Sequence, residues 1–195
     1  MIDGQIVCKT VELKLLGKHN WQNVCAAVTA VWKIYQNIPV MHNVVTTFYG
    51  LPFRLEFRKE VNRVRFYDDS FASAPPAAIA AIETIPEKKV MILGGFDRGL
   101  DLSELAEELK TQAGTIRKVL IIGASAPRLA DILTKHGFTN FTISEAKDMA
   151  DIVRKASELA RAGDAVVLSP GFPSFDMFKN FEDRGQQFNA AVEAL

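Results

Sequence analysis

Val90-Met91-Ile92-Leu93-Gly94-Gly95-Phe96-Asp97-Arg98-Gly99 is the stretch on which the fold turns: four consecutive apolar residues end on two glycines and a charged loop. An apolar run of this length without polar alternation predicts a strand buried on both faces, and the glycines predict an abrupt exit from it. Two more runs repeat the pattern, Val119-Leu120-Ile121-Ile122 ending in Gly123 and Ala165-Val166-Val167-Leu168 ending in Ser169-Pro170. The segments around them have helical spacing. One helix follows Pro75-Pro76. Asp101 with Glu104 has the form of a capping box, opening a helix with Leu102, Leu105, Ala106 and Leu109 on one face. Another helix covers about 126–135 and stops before Gly137. Asn140 to Ile143 reads as a short strand, and Ser144 as the cap of a helix reaching Ala162, where Gly163 terminates it. The last helix is expected from about Asp176. Buried strands alternating with amphipathic helices predict an α/β fold: a mostly parallel sheet with helices on both faces.

Upstream the pattern changes. Residues 53–58 and 63–67 read as a β-hairpin around Val61-Asn62, and Gly50-Leu51-Pro52 forms a boundary that a helix cannot cross. Before it, residues 5–16 read as a strand or hairpin arm through Val7, Val11, Leu13 and Leu15. A helix is expected from Asn20 to about Tyr35, with Val24, Ala27, Val28, Val31 and Ile34 on one stripe, and a short one from about His42 to Phe48. The chain thus divides into residues 1–50 and 51–195.

Composition excludes several classes of function. Lys plus Arg and Asp plus Glu are 23 each, so no basic surface for nucleic acid is expected. No run approaches the roughly 18 apolar residues of a membrane span. Met1-Ile2-Asp3-Gly4-Gln5 lacks the charged and apolar regions of a signal peptide, and the expected compartment is the cytoplasm. Cys8 and Cys25 sit in apolar stretches without metal-ligand spacing and read as buried or half-buried thiols. His19 has no partner cluster, so no metal site is expected.

In parallel sheets ligands bind at the carboxyl ends of the strands. That rule places Asp68-Asp69-Ser70, the Gly94–Arg98 loop and Ser169 to Phe175 along one rim. The glycine loop is neither a dinucleotide fingerprint nor a P-loop, and alone it reads as a strand-to-helix turn. Arg98 is either a fork for an incoming carboxylate or a solvated arginine. Backbone N–H groups at a helix start, with the Ser174 hydroxyl, could form an anion site, or Ser174 or Asp176 could simply cap that helix. Phe172, Phe175, Phe178 and Phe181 read first as core. Asn20 and Asn23 lie three apart on one helical face, where two amides suit a purine edge, although N-capping competes for Asn20.

Taken together these segments resemble one family. Gly17-Lys18-His19-Asn20-Trp21-Gln22-Asn23 is similar to the G-x-H-N-x-x-N element of the Mur ligases. Gly50-Leu51-Pro52-Phe53-Arg54-Leu55-Glu56 resembles the opening of their C-terminal domain, and Asp69-Ser70 with Ala72-Ser73 resembles their D-S-x-A-T segment. Gly94 to Gly99 with Asp101, and Leu168-Ser169-Pro170 with Ser174 to Gly185, resemble two further family blocks. The last block points to the branch that adds D-glutamate. The resemblance covers essentially the whole chain.

The resemblance implies an ATP- and Mg²⁺-dependent ligase adding D-glutamate to UDP-N-acetylmuramoyl-L-alanine in peptidoglycan precursor synthesis. In that family ATP phosphorylates a carboxylate, an amine attacks, and phosphate leaves. The resemblance also implies that residues 1–50 are the remnant of a central ATPase domain and 51–195 the Rossmann-like C-terminal domain. Asn20, Asn23, Arg54 and Asp69 would bind ATP, and Ser73, Arg98, Ser174, Phe175 and Phe181 would hold D-glutamate. No G-x-x-G-K-[ST] occurs in the sequence, so no catalytic residue is carried over, no cofactor is expected to bind tightly, and the 195 residues are expected to be inactive alone. Phe71 stands where many members have lysine, Ser73 replaces threonine, Arg98 replaces lysine, and Gly171-Phe172-Pro173 replaces a small-residue run. A related amino-acid ligase, such as a folylpolyglutamate type, and a stand-alone amino-acid or nucleotide-binding module are the alternatives.

Overall fold

The computed structural model describes residues 1–195, and the chain divides into two compact units, Met1–Leu51 and Pro52–Leu195. In the second unit the apolar runs become strands because each has a neighbour for both backbone edges. β1 (Glu56–Val61) and β2 (Val64–Asp68) form the antiparallel hairpin. Its two-residue turn is Asn62-Arg63, both at positive φ (52° and 63°), the geometry that matches the twist of the flanking strands. β3 (Lys89–Gly94), β4 (Ile116–Ile122), β5 (Phe141–Ile143) and β6 (Ala165–Leu168) complete a six-stranded sheet in the order β1-β2-β6-β3-β4-β5. All pairs except β1·β2 are parallel.

Side chains alternate across the strands, so each apolar run feeds two cores. Met91, Leu93, Val119, Ile121 and Val167 pack under α3 (Pro75–Thr84), α4 (Ser103–Thr111) and α5 (Ala126–Lys135). Val90, Ile92, Leu120, Ile122, Val166 and Leu168 pack under α6 (Met149–Leu159) and α7 (Phe181–Glu193). Full burial of each such side chain contributes about 1.5–3 kcal/mol. Helices cover both faces, as the unbroken apolar runs predict. The insertion of β6 between β2 and β3 brings the loops after all three strands to one edge.

Several helix starts differ from the sequence reading. Asp101 does not cap α4; its Oδ1 accepts from the Ser103 N–H and hydroxyl, a local turn that competes with a capping box. Asp148, not Ser144, caps α6 by accepting from Asp151 N, while the Ser144 hydroxyl accepts from Ala146 N. The last helix starts at Phe181 with Asn180 as its cap, because Asp176 is engaged elsewhere.

The first unit contains α1 (Lys18–Trp32) and α2 (Ile38–Thr47) around a small core of Val7, Val28, Trp32 and Met41. Residues 5–16 form no strand of a sheet. They contribute one isolated bridge, Ile2 to Gln5, and a three-residue 3₁₀ turn at Thr10–Glu12, having no partner strand. Asn37 caps α2, which therefore starts earlier than His42. Cys25 is exposed rather than buried, and Cys8 is partly buried.

Candidate functional site

The rim of the second unit is assembled from loops that hydrogen-bond one another. Gly94 N donates to Pro170 O (2.9 Å), Phe96 N to Pro173 O (2.9 Å), and Gly171 N to Ala72 O (2.9 Å). Ser125 N donates to Gly95 O, while the Ser125 hydroxyl accepts from Gly95 N (3.1 Å). Gly95, at φ 151°, permits this closeness, since a Cβ there would collide with the Pro173 carbonyl oxygen. Asp176 reaches across and accepts from Ala124 N at 2.8 Å, against Gly123 at φ 73°.

Beneath the loops lies a buried charged cluster whose burial the motifs do not reveal. Arg184 is 1% exposed and donates from Nη1 to Phe172 O (3.0 Å) and from Nη2 to Ser70 O (2.8 Å). Burial lowers its pKa to about 10, opposed by the charges of Asp176, Asp68 and Asp69. The sequence carried a signal for it. Phe181, Arg184, Phe188 and Val192 share one helical stripe, and a cation on an apolar stripe has to find partners inside. Asp68 is fully buried, accepts from the Ser70 N–H and hydroxyl, and has its pKa raised by desolvation.

The expected ATP residues fall in two places. Asn20 and Asn23 belong to the first unit, inside α1 rather than at its cap. Asn20 Nδ2 donates to Leu16 O (2.7 Å), and Asn23 Nδ2 donates to Asn20 Oδ1 (3.2 Å), so the two amides do share a face. Arg54 and Asp69 belong to the second unit. Arg54 lies exposed, its Cζ 4.0 Å from the Phe71 ring centroid. Asp69 turns inward: Oδ1 accepts from Leu55 N (3.1 Å) and Oδ2 from the Ser169 hydroxyl (2.6 Å). Desolvation raises its pKa to about 7 against the pull of those two hydrogen bonds.

The expected amino-acid residues lie on the interlocked loops. Ser73 is half-buried, and Ser174 is buried with its carbonyl accepting from Met177 N and Phe178 N. Ser174 is therefore in a turn ahead of α7, not at a helix start. Asp97 is gripped by both arms of Arg128 (2.6 and 2.7 Å), which leaves Arg98, exposed on the same loop, without a carboxylate partner. Phe175 is 63% exposed and meets Phe96 edge-on. Phe181 meets Phe71 and Phe53 edge-on at 4.8 and 6.1 Å. Phe172 and Phe178 are buried, as the core reading has it. No group of His, Cys, Asp and Glu side chains is arranged to hold a metal ion.

Such a doubly wound α/β domain, with its strand-end loops tied into one rim, has the architecture in which ligand sites are found at the carboxyl ends of the strands. The chain belongs to the Mur ligase family: the family model described as "Mur ligase, glutamate ligase domain" matches residues 53–172. It is 38% identical over 94% of its length to the UDP-N-acetylmuramoylalanine–D-glutamate ligase of Thermoanaerobacter sp.. It is 36% identical over all of its length to the enzyme of the same name from Caldanaerobacter subterraneus. It spans 40% and 42% of those relatives, so about two fifths of their length. Among solved structures, the UDP-N-acetylmuramate–alanine ligase of Thermotoga maritima shares the fold at a TM-score of 0.68 and 16% identity, covering 93% of this chain and 39% of that one. A pseudomurein peptide ligase of Methanothermus fervidus does so at 0.65 and 14%, covering 93% and 37%.

Proposed function

We propose that this chain is the amino-acid-binding end of an ATP-dependent ligase that adds D-glutamate to UDP-N-acetylmuramoyl-L-alanine in the cytoplasm. The observation that carries the reading is identity of 36–38% over nearly the whole chain to relatives bearing that name. On this reading residues 1–50 belong to the ATPase domain and 51–195 form the glutamate-binding domain. Arg98 takes a carboxylate of D-glutamate in a bidentate grip, and the hydroxyls of Ser73 and Ser174 complete the anion's hydrogen bonds. Phe175 and Phe181 shape the apolar wall.

Asn20 and Asn23 offer the adenine both donor and acceptor groups, and Arg54 offers the phosphates a cation. Asp69 acts by positioning, because both its oxygens hold protein groups. ATP supplies the activation of the carboxylate. The residues of this chain bind and orient, and Mg²⁺ belongs with the ATP phosphates. The 195 residues alone are therefore expected to release no phosphate from ATP.

Titration of the 195-residue chain with D-glutamate, followed by amide NMR, tests the reading. D-Glutamate is expected to bind on the order of millimolar, because half a site lacks its closing partner. It should move the Ser73, Arg98 and Ser174 amides, and L-glutamate should move them less. Equal response to both enantiomers, or none at the rim, contradicts it.

A further inference from the structure

Arg54 sits in a strained turn. Phe53 and Leu55 on either side of it have φ of 64° and 47°, a region that non-glycine residues occupy only where their surroundings hold them there. Beside the bond from Phe53 N to Glu56 Oε2 (3.1 Å), two hydrogen bonds tie the turn to a neighbouring loop. Phe71 N donates to Phe53 O (3.1 Å), and Leu55 N donates to Asp69 Oδ1 (3.1 Å). Both come from the loop after β2, so the turn and that loop form one piece.

Phe71 completes the arrangement. It is 40% exposed, yet it is not idle. The Arg54 guanidinium carbon lies 4.0 Å from the centroid of its ring, and Phe181 braces it edge-on at 4.8 Å, itself braced by Phe53 at 6.1 Å. A guanidinium lying on a ring face is attracted by the ring's quadrupole and keeps its N–H groups, which point outward in its own plane, free for an oxyanion. Arg54 forms no ion pair with Asp69, whose oxygens are already taken by Leu55 N and Ser169.

We infer that Phe71 is a positioning residue: an aromatic shelf that holds the Arg54 guanidinium ready for a nucleotide polyphosphate, with Phe181 linking the shelf to the amino-acid pocket. This deepens the function proposed above and rests on its assignment of Arg54 to the phosphates. The shelf lowers the ordering cost of a long side chain before the anion arrives. Phe71 touches no phosphate itself.

The test uses the 195-residue chain and three forms of it: wild type, Phe71→Leu, which keeps bulk without a ring, and Phe71→Tyr, which keeps the ring. The Arg54 Nε–Hε signal in ¹H–¹⁵N spectra reports the stacking directly, because a ring face shifts it upfield. The shift is expected in wild type and Phe71→Tyr and absent in Phe71→Leu, with the thermal midpoint unchanged. ATP and inorganic tripolyphosphate should both move that signal, adenosine should not, and affinity for ATP should fall about two- to fivefold in Phe71→Leu, with Phe71→Tyr restoring it. An unshifted wild-type signal, or equal ATP affinity in Phe71→Leu and wild type, overturns the shelf. A ring-shifted signal that ATP and tripolyphosphate leave unmoved keeps the stacking and overturns the phosphate assignment beneath it.

Discussion

The two compact units depart from ordinary burial in opposite directions. The first leaves apolar side chains in solvent: Val31, Ile34, Tyr35, Val40 and Val44 are all exposed, around a core of four buried residues. The second puts charge inside, burying Arg184, Asp68 and Asp69 beneath the rim. Exposed apolar area gives up burial free energy, while buried charge costs desolvation that only good hydrogen bonds offset. A chain does the second where a polar framework must hold loops in one arrangement. The difference therefore separates a region with little internal stabilisation from one whose buried polar groups hold its strand-end loops together.

The largest expected effect removes the centre of that framework. Arg184→Ala leaves the buried Ser70 and Phe172 carbonyls without their donor and removes the positive charge that acts on Asp176, Asp68 and Asp69. Urea unfolding of the 195-residue chain should show a loss of about 3–5 kcal/mol. A loss under about 1 kcal/mol would mean that the buried cluster does not hold the loops.

Next comes pH. Asp69 has a folded pKa of about 7, above its ordinary value of 3.8, so folding favours its protonated form. The stability associated with it is full below about pH 4 and is lost as pH rises through 7, on the order of 4 kcal/mol over the window. Asp69→Asn, which cannot ionise, should remove that slope. Subtracting the two stability curves between pH 4 and 8 checks the sign, and a difference that grows in the opposite direction contradicts it.

A third, smaller contrast lies between the units. Amides of α1 from Val24 to Val31 should exchange with solvent at least about a hundredfold faster than those of Val119 to Ile122, since elements with fewer buried partners open first. Equal protection would show that the exposed apolar face of α1 costs the unit nothing.

Much of this was legible in the sequence. The runs at Val90, Val119 and Ala165 read as buried parallel strands because they are short, rich in β-branched residues, bounded by glycine or proline and separated by helical segments. The rim followed from the strand ends. What the sequence did not show was competition among short polar side chains for backbone N–H groups. Asp101, Ser144 and Asp176 each had a plausible helix to cap, and each makes a different bond. Residues 5–16 alternate like a strand, but a strand also needs a neighbour, and local alternation says nothing about one. Arg184 was quoted within a motif, yet its burial became visible only when its helical stripe met the folded loops.

Arg98 offers the most direct test of the whole account, because it is exposed and unpaired and its loss should cost the fold almost nothing. In the 195-residue chain, Arg98→Ala should weaken D-glutamate binding tenfold or more, as expected for a charged hydrogen bond worth roughly 1.5–3 kcal/mol. The thermal midpoint and the ATP response of Arg54 should stay where they are. Unchanged D-glutamate affinity together with a lost ATP response would reverse the two halves of the site and contradict the account.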